Sequence, residues 1–306
     1  MLEIPYNRET KLLGLLGDPL GHSIVPRVHN KIYQYAGINA VLLPMELEDA
    51  AGNLDRFFDA VRTLRIHGFI VTMPYKTRML PYLDEAPEEC LALNCVNAVR
   101  FNGRRFYGAV FDGYGLCQSI EDAGCRLEGR EALIIGAGGI CGPVISEMAG
   151  RGVAAFTILN RSPETAERKA EILRLRTGKP IQTGPLTEET LNRAAGRASI
   201  VAQCTPLGMY GTGTSFPYLD FLEKADKDTV VADVVYNPLK TALLEAAAHR
   251  GLRTVNGAGM LTNQADKLIR FFFGSGLGAA GKEAASRAVN SALEELRHPP
   301  VSENAP

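Results

Sequence analysis

The chain has 306 residues, 46% of them hydrophobic and 22% charged, a balance of globular domains that excludes disordered, collagenous and disulfide-scaffold classes. Lys and Arg number 33 against 34 Asp and Glu, for a formal charge of −1, which removes any electrostatic case for nucleic acid or an anionic membrane as the main partner. No apolar run reaches the roughly 18 residues of a membrane span, and Met1 to Arg8 lacks the layout of a signal peptide, so a cytoplasmic protein of two domains with a small-molecule partner is expected.

Apolar runs of strand length alternate with amphipathic segments of helix length, which predicts an α/β fold with a parallel sheet. Lys11 to Gly17 reads as a strand, Pro26 to Ala36 as a helix stopped by Gly37, Ala40 to Leu47 as a strand, Leu54 to Arg65 as a helix and Gly68 to Thr72 as a strand closed by Pro74. Cys95 to Phe101 and Arg105 to Phe111 are joined by Asn102-Gly103, a dipeptide that favours a type I′ hairpin. A second series begins with a helix from about Leu116 to Ala123, the strand Ala132 to Gly136, a glycine-rich turn and a helix through Met148. Further strands are expected at Ala155 to Leu159, Ile200 to Gln203, Val230 to Val234 and Arg253 to Val255. After Gly259 the pattern is helical, apart from a break at Gly274 to Gly281 and a polar tail after His298.

The six cysteines include no C-x-x-C pair and sit mostly in apolar stretches, so they read as buried free thiols, and no metal site is expected. His22 and His29 stand two helical turns apart, roughly 10 Å, too far to share a metal ion.

Gly136-Ala137-Gly138-Gly139 follows an apolar strand and opens a helix starting near Gly139, the context a dinucleotide fingerprint requires. Gly136 permits the tight turn, Gly138 lets the backbone approach a pyrophosphate, and the helix end aims N–H groups at that anion. Cys141 occupies the place of the third glycine. The next strand ends Asn160-Arg161-Ser162, offering a guanidinium and small polar groups where NAD enzymes carry an acid, so NADP is expected over NAD.

Gly17 to Ser23, Val71-Thr-Met-Pro-Tyr-Lys76, Val96-Asn97, Gly108 to Gly115, Gln203 to Met209, Asp233 to Pro238 and Gly259 to Gln264 together resemble the shikimate dehydrogenase family. The resemblance implies a substrate-binding α/β domain at 1–112, a Rossmann-type NADP domain at 113–258, and helices at 259–306 that pack back on the first. Lys76 and Asp112 match the family's catalytic pair. Ser23, Thr72, Asn97, Tyr236 and Gln264 match its substrate site, and Thr205, Met209, Gly257 and Met260 its cofactor site, with Tyr236 and Met260 near the nicotinamide and the cleft. Taken singly, Lys76 reads as a surface cation, Asp112 as the N-cap of the next helix and Asn97 as a turn residue.

Several positions depart from the family pattern. Its S-x-S is Ser23-Ile24-Val25 here, its N-V-T has Ile70, its V-N-T has Ala98, and its N-T-D-G has Val110 and Phe111 before Asp112. The implied reaction is shikimate + NADP = 3-dehydroshikimate + NADPH, a step of aromatic amino acid biosynthesis, by a monomer or homodimer. The alternatives are a paralogue for quinate, aminoshikimate or a less polar ring, a methylenetetrahydrofolate dehydrogenase, which those segments fit poorly, and an inactive dinucleotide-sensing module. Retention of both Lys76 and Asp112 argues against the last.

Overall fold

The computed structural model describes residues 6–21, 23–48, 50–278 and 281–297, so His22 and the tail after His298 lie outside the described residues. Strands β1 (Lys11–Gly17), β2 (Ala40–Glu46) and β3 (Gly68–Val71) alternate with helices α1 (Val25–Ala36) and α2 (Asn53–Leu64) and pair in parallel, with β1 between its neighbours. Leu13, Leu15 and Ile70 point into one core and Leu16, Phe69 and Val71 into another, so both faces of this sheet are covered, which explains its near-continuous apolar strands. Gly37 ends α1 in the left-handed conformation, its N–H capping the last carbonyls.

Beyond β3 come a 3-10 turn at Tyr75–Thr77, another at Leu80–Tyr82, and α3 (Glu88–Leu93). The chain then returns as the antiparallel pair β4 (Ala98–Phe101) and β5 (Phe106–Ala109), β4 lying against β3. The hairpin differs from the expected type I′ turn. Phe101 pairs with Phe106, the Asn102 N–H donates to the Arg105 carbonyl, and only Gly103, at φ 90°, takes the left-handed side, so glycine fills the first central position. The Asn102 side chain stabilises that turn instead, accepting from the Arg104 and Arg105 N–H groups.

Helix α4 (Asp112–Asp122) leads to the second sheet, built from β6 (Glu131–Ile135), β7 (Ala155–Asn160), β8 (Ile181–Pro185), β9 (Ile200–Gln203), β10 (Val230–Asp233) and β11 (Arg253–Val255). The intervening helices are α5 (Cys141–Gly150), α6 (Pro163–Thr177), α7 (Glu188–Ala195) and α8 (Ala242–His249). All six strands are parallel in the order β8-β7-β6-β9-β10-β11, the doubly wound arrangement whose order reverses between β6 and β9 and leaves a crevice at their carboxyl ends.

Helices α9 (Gly257–Phe273) and α10 (Gly281–Arg297) return to the first sheet, where Leu261, Ala265, Leu268, Ala288 and Val289 share a core with Leu13, Leu15 and Ile32. On the way α9 crosses α4 closely: a Cβ added to Gly115 would lie 2.5 Å from the Met260 carbonyl oxygen, and one on Gly259 2.8 Å from Ser119 Oγ. All six cysteines are buried free thiols, as their apolar surroundings predict. Among the described residues no helix is long and apolar enough to cross a membrane, and no His, Cys, Asp and Glu cluster could hold a metal.

Candidate active site

Pro74 stops β3, Tyr75 turns inward and donates from its hydroxyl to the Leu47 carbonyl at 2.5 Å, and Lys76 follows on the 3-10 turn. Its carbonyl accepts from the Val96 N–H at 2.8 Å, which ties the turn to the segment entering β4. Asp112 is not the N-cap of α4 but its first residue, Phe111 being the cap, and a carboxylate there is favoured by the positive end of the helix. Lys76 Nζ stands 2.7 Å from Asp112 Oδ2, the side chains 17% and 3% exposed. Burial pushes the Lys76 ammonium down, the Asp112 carboxylate pushes it up, and the balance lies above the ordinary lysine value. Lys76 is therefore a proton-bearing cation at neutral pH, held by a buried carboxylate.

Asn97 sits beside this pair, with both ends of its amide engaged. Its Oδ1 accepts from the Phe111 N–H at 3.0 Å and its Nδ2 donates to Gln264 Oε1 at 3.2 Å, joining the start of α4 to α9. Thr72 packs against the end of β1, where a Cβ on Gly17 would lie 2.3 Å from its methyl. Ser23 Oγ accepts from the Val25 N–H at 3.4 Å. Tyr236, in the loop after β10, reaches across to the same place, its hydroxyl close to the Ser23 side chain and the Ile24 backbone. Burial pushes the Tyr236 phenol up, against the opposing pull of the neighbouring Ser23 and Ile24 and of the Lys76 charge, so it stays protonated.

The glycine turn lies at the crevice of the second sheet. Gly136 has φ 102°, and a Cβ on it would lie 2.4 Å from Thr205 Cγ2 of the loop after β9, so both its conformation and its neighbour demand glycine. The Gly138 carbonyl accepts from the Cys141 N–H at 3.3 Å, a tight first turn that delays α5 to Cys141 rather than Gly139. Among the described residues the Gly138 and Gly139 N–H groups have no protein partner. The Ala137 N–H is spent on Asn160 Oδ1 at 3.2 Å, while Asn160 Nδ2 donates to the Ser162 carbonyl at 2.9 Å. The Ser162 hydroxyl is shared between Glu164 and Thr165. Arg161 is exposed and, among the described residues, without an ion-pair partner. Free N–H groups and an unpaired guanidinium are the chemistry a dinucleotide phosphate needs. Most telling is where the turn sits: a Cβ on Gly139 would meet Lys76 Cβ at 3.7 Å and Thr77 Cγ2 at 3.9 Å. Nucleotide turn and lysine turn are adjacent.

The model of the shikimate dehydrogenase substrate binding domain matches residues 15–99, and that of shikimate / quinate 5-dehydrogenase matches 117–206. A shikimate dehydrogenase (NADP(+)) of Alkaliphilus oremlandii is 35% identical over 258 residues, 84% of this chain and 89% of the relative. The chain belongs to the shikimate dehydrogenase family. Two solved structures are similar throughout: shikimate 5-dehydrogenase of Listeria monocytogenes in complex with shikimate and NAD (TM-score 0.81, 28% identity, 96% of this chain and 99% of that one), and a shikimate dehydrogenase in complex with NADP+ (0.82, 29%, 94% and 97%).

The family's polar positions that are apolar here divide into two groups. Ile70 and Ala98 are buried cross-strand partners in the core that also holds Ala258 and Leu261 of α9. Val25, the first residue of α1, and Phe111, edge to face with Phe271 at 5.9 Å, are only partly buried at the margin of that core. A network joins two family motifs unnoticed in the sequence: Gln203 Nε2 donates to the Leu207 carbonyl at 3.0 Å and to Asp233 Oδ1 at 3.3 Å, and Asp233 accepts from the Val235 N–H and the Thr241 hydroxyl. These buried groups shape the loops carrying Thr205, Met209 and Tyr236. Their register, Gln203 beside Asp233 on adjacent strands, is a signal only once the sheet order is known.

Proposed function

We propose that the protein is an NADP-dependent oxidoreductase interconverting an alcohol and a ketone on a shikimate-like cyclic hydroxy acid, of the type shikimate + NADP = 3-dehydroshikimate + NADPH. The observation that carries this reading is the buried Lys76–Asp112 pair set against the Gly136–Gly139 turn. The Gly138 and Gly139 N–H groups take the pyrophosphate, Arg161 the 2′-phosphate, and Thr205, Met209, Gly257 and Met260 border the nicotinamide. When bound, the cofactor supplies or accepts the hydride at the ring carbon.

The protein's own work is proton transfer and positioning. Lys76 gives its proton to the developing alkoxide in reduction and takes it back in oxidation, and Asp112 holds the ammonium in place and keeps it charged. Thr72, Asn97 and Gln264 bind ring hydroxyls, and Ser23 with Tyr236 binds the carboxylate. In this division residues 1–112 hold the substrate, 113–258 hold the cofactor and 259–306 lock the second part to the first. The enzyme acts in the cytoplasm. A spectrophotometric screen of shikimate, quinate and less hydroxylated ring acids with NADP+ and with NAD+ tests this. Turnover with a ring hydroxy acid and NADP+ is expected, and no reduced cofactor with any of them would overturn it.

A further inference from the structure

Helix α6 carries cations that nothing above uses, and one of them, Lys169, reaches the glycine turn. Lys169 stands between the buried Ala166 and Ala170, on the side of α6 that packs toward the sheet. It extends over the glycine turn, where its Nζ donates to the Gly138 carbonyl at 3.1 Å. That hydrogen bond places the ammonium at the glycine turn itself. Arg174 of the same helix is paired with Glu167 at 2.6 Å, whereas among the described residues no carboxylate lies within ion-pair distance of Lys169. An ammonium has three donors, and one carbonyl occupies one of them.

From this placement we infer that Lys169 is a cofactor-binding residue whose ammonium contacts the pyrophosphate of the dinucleotide at the Gly136–Gly139 turn. The inference rests on the proposed dinucleotide site and adds a residue to it. The backbone alone offers the Gly138 and Gly139 N–H groups to an anion of two charges, and Lys169 brings a full positive charge to the same spot. Pyrophosphate is common to NADP and NAD, so Lys169 contributes to affinity without choosing between them. Arg161, at the tip of β7, does the choosing.

Equilibrium binding separates these roles. The chain has no tryptophan, so NADPH and NADH can be titrated through their own fluorescence, against wild type, K169Q, K169R and R161A. K169Q keeps an amide that can donate to the Gly138 carbonyl but carries no charge. It should weaken NADPH and NADH by the same factor, about tenfold, and flatten the salt dependence of both. K169R should stay within a few-fold of wild type, and R161A should weaken NADPH alone. K169Q binding like wild type would reduce Lys169 to a tie on the Gly138 carbonyl and overturn the inference. A loss confined to NADPH would also overturn it, by assigning Lys169 to the 2′-phosphate. Wild type binding neither cofactor would overturn the dinucleotide site itself, and the inference with it.

Discussion

Lys76 and Asp112 illustrate how a buried pair sets the direction of proton flow. With the ammonium held above its ordinary value, reduction of a ketone finds its acid ready at neutral pH, whereas oxidation of the alcohol must first empty Lys76. Oxidation should therefore climb with pH through the alkaline range, and reduction should stay level until Lys76 titrates and then fall. Lys76→Ala should lower kcat in both directions by about 10²- to 10⁴-fold, abolish that pH dependence and leave NADPH binding intact. Steady-state pH profiles of wild type and Lys76→Ala decide it, and a surviving alkaline rise in the variant would move the acid elsewhere. Val25 poses a question of substrate. Beside Ser23 and Tyr236 its side chain offers no donor and packs partly on the core. Val25→Ser should raise kcat/KM for shikimate about tenfold through one added hydrogen bond to a charged group, appearing as a lower KM, at a small loss of melting temperature. An unchanged KM would mean that Ser23, Tyr236 and the backbone already hold the carboxylate. The motif segments named Lys76 and Asp112, but the sign of the lysine shift was hidden, because it is a difference between burial and charge that only the fold fixes.

At the scale of elements, the crossing of α4 and α9 couples the sheets to the site. Gly115 faces the Met260 carbonyl, and its added Cβ would also lie 3.3 Å from Gln264 Cβ, so a larger residue must push α9 away. Gln264 would move with it, stretching the 3.2 Å bond from Asn97. Gly115→Ala should cost about 1–3 kcal/mol of stability by overpacking and raise KM for the ring substrate more than for NADP+. Melting curves and steady-state kinetics check both, and an unshifted KM would detach the helix crossing from substrate binding. Most elements were legible in the sequence where a strong period met a clear stop: β1 and α1 end at Gly17 and Ala36 as expected, and the Gly136 turn follows its strand. The failures share a cause, which is that partners decide. Strand β8 has only Ile181 buried, pairs on one side with β7, and has no apolar pattern to announce it. Residues 95–97 look like strand but are engaged by Cys90, Lys76, Ala109 and Val71 before β4 begins. The hairpin turn shifted by one residue because Phe101 pairs with Phe106, which no dipeptide rule encodes.

For the whole molecule, two buried titratable groups contribute to the response to acid in opposite directions. His29 lies in α1 with Nδ1 unpartnered, its ring 5.8 Å from that of Tyr33, whose hydroxyl is unpartnered too, and burial pushes the imidazole down to about 4. Below pH 6.5 the unfolded chain takes up a proton that the folded chain refuses until about pH 4, so this contribution to stability is present above 6.5 and is lost across that window. Burial pushes Asp233 up to about 6, against its bonds from Val235 and Thr241. Between that value and the ordinary 3.8 it is the folded chain that holds the extra proton, so stability rises as pH falls. Each effect is worth about 3 kcal/mol, and over most of the range from pH 6 to 4 they offset one another. Replacing one group should expose the other. His29→Phe keeps a ring against Tyr33 and removes the proton that folding must exclude, so its stability relative to wild type should grow steadily as pH falls from 6.5 to 4. Asp233→Asn should do the reverse, losing ground to wild type from about pH 6 downward. Urea unfolding of the three proteins at closely spaced pH values measures the differences directly. Curves that run parallel to wild type across that range would show that neither group changes its protonation on folding, and acid sensitivity would then have to be sought in the surface carboxylates instead.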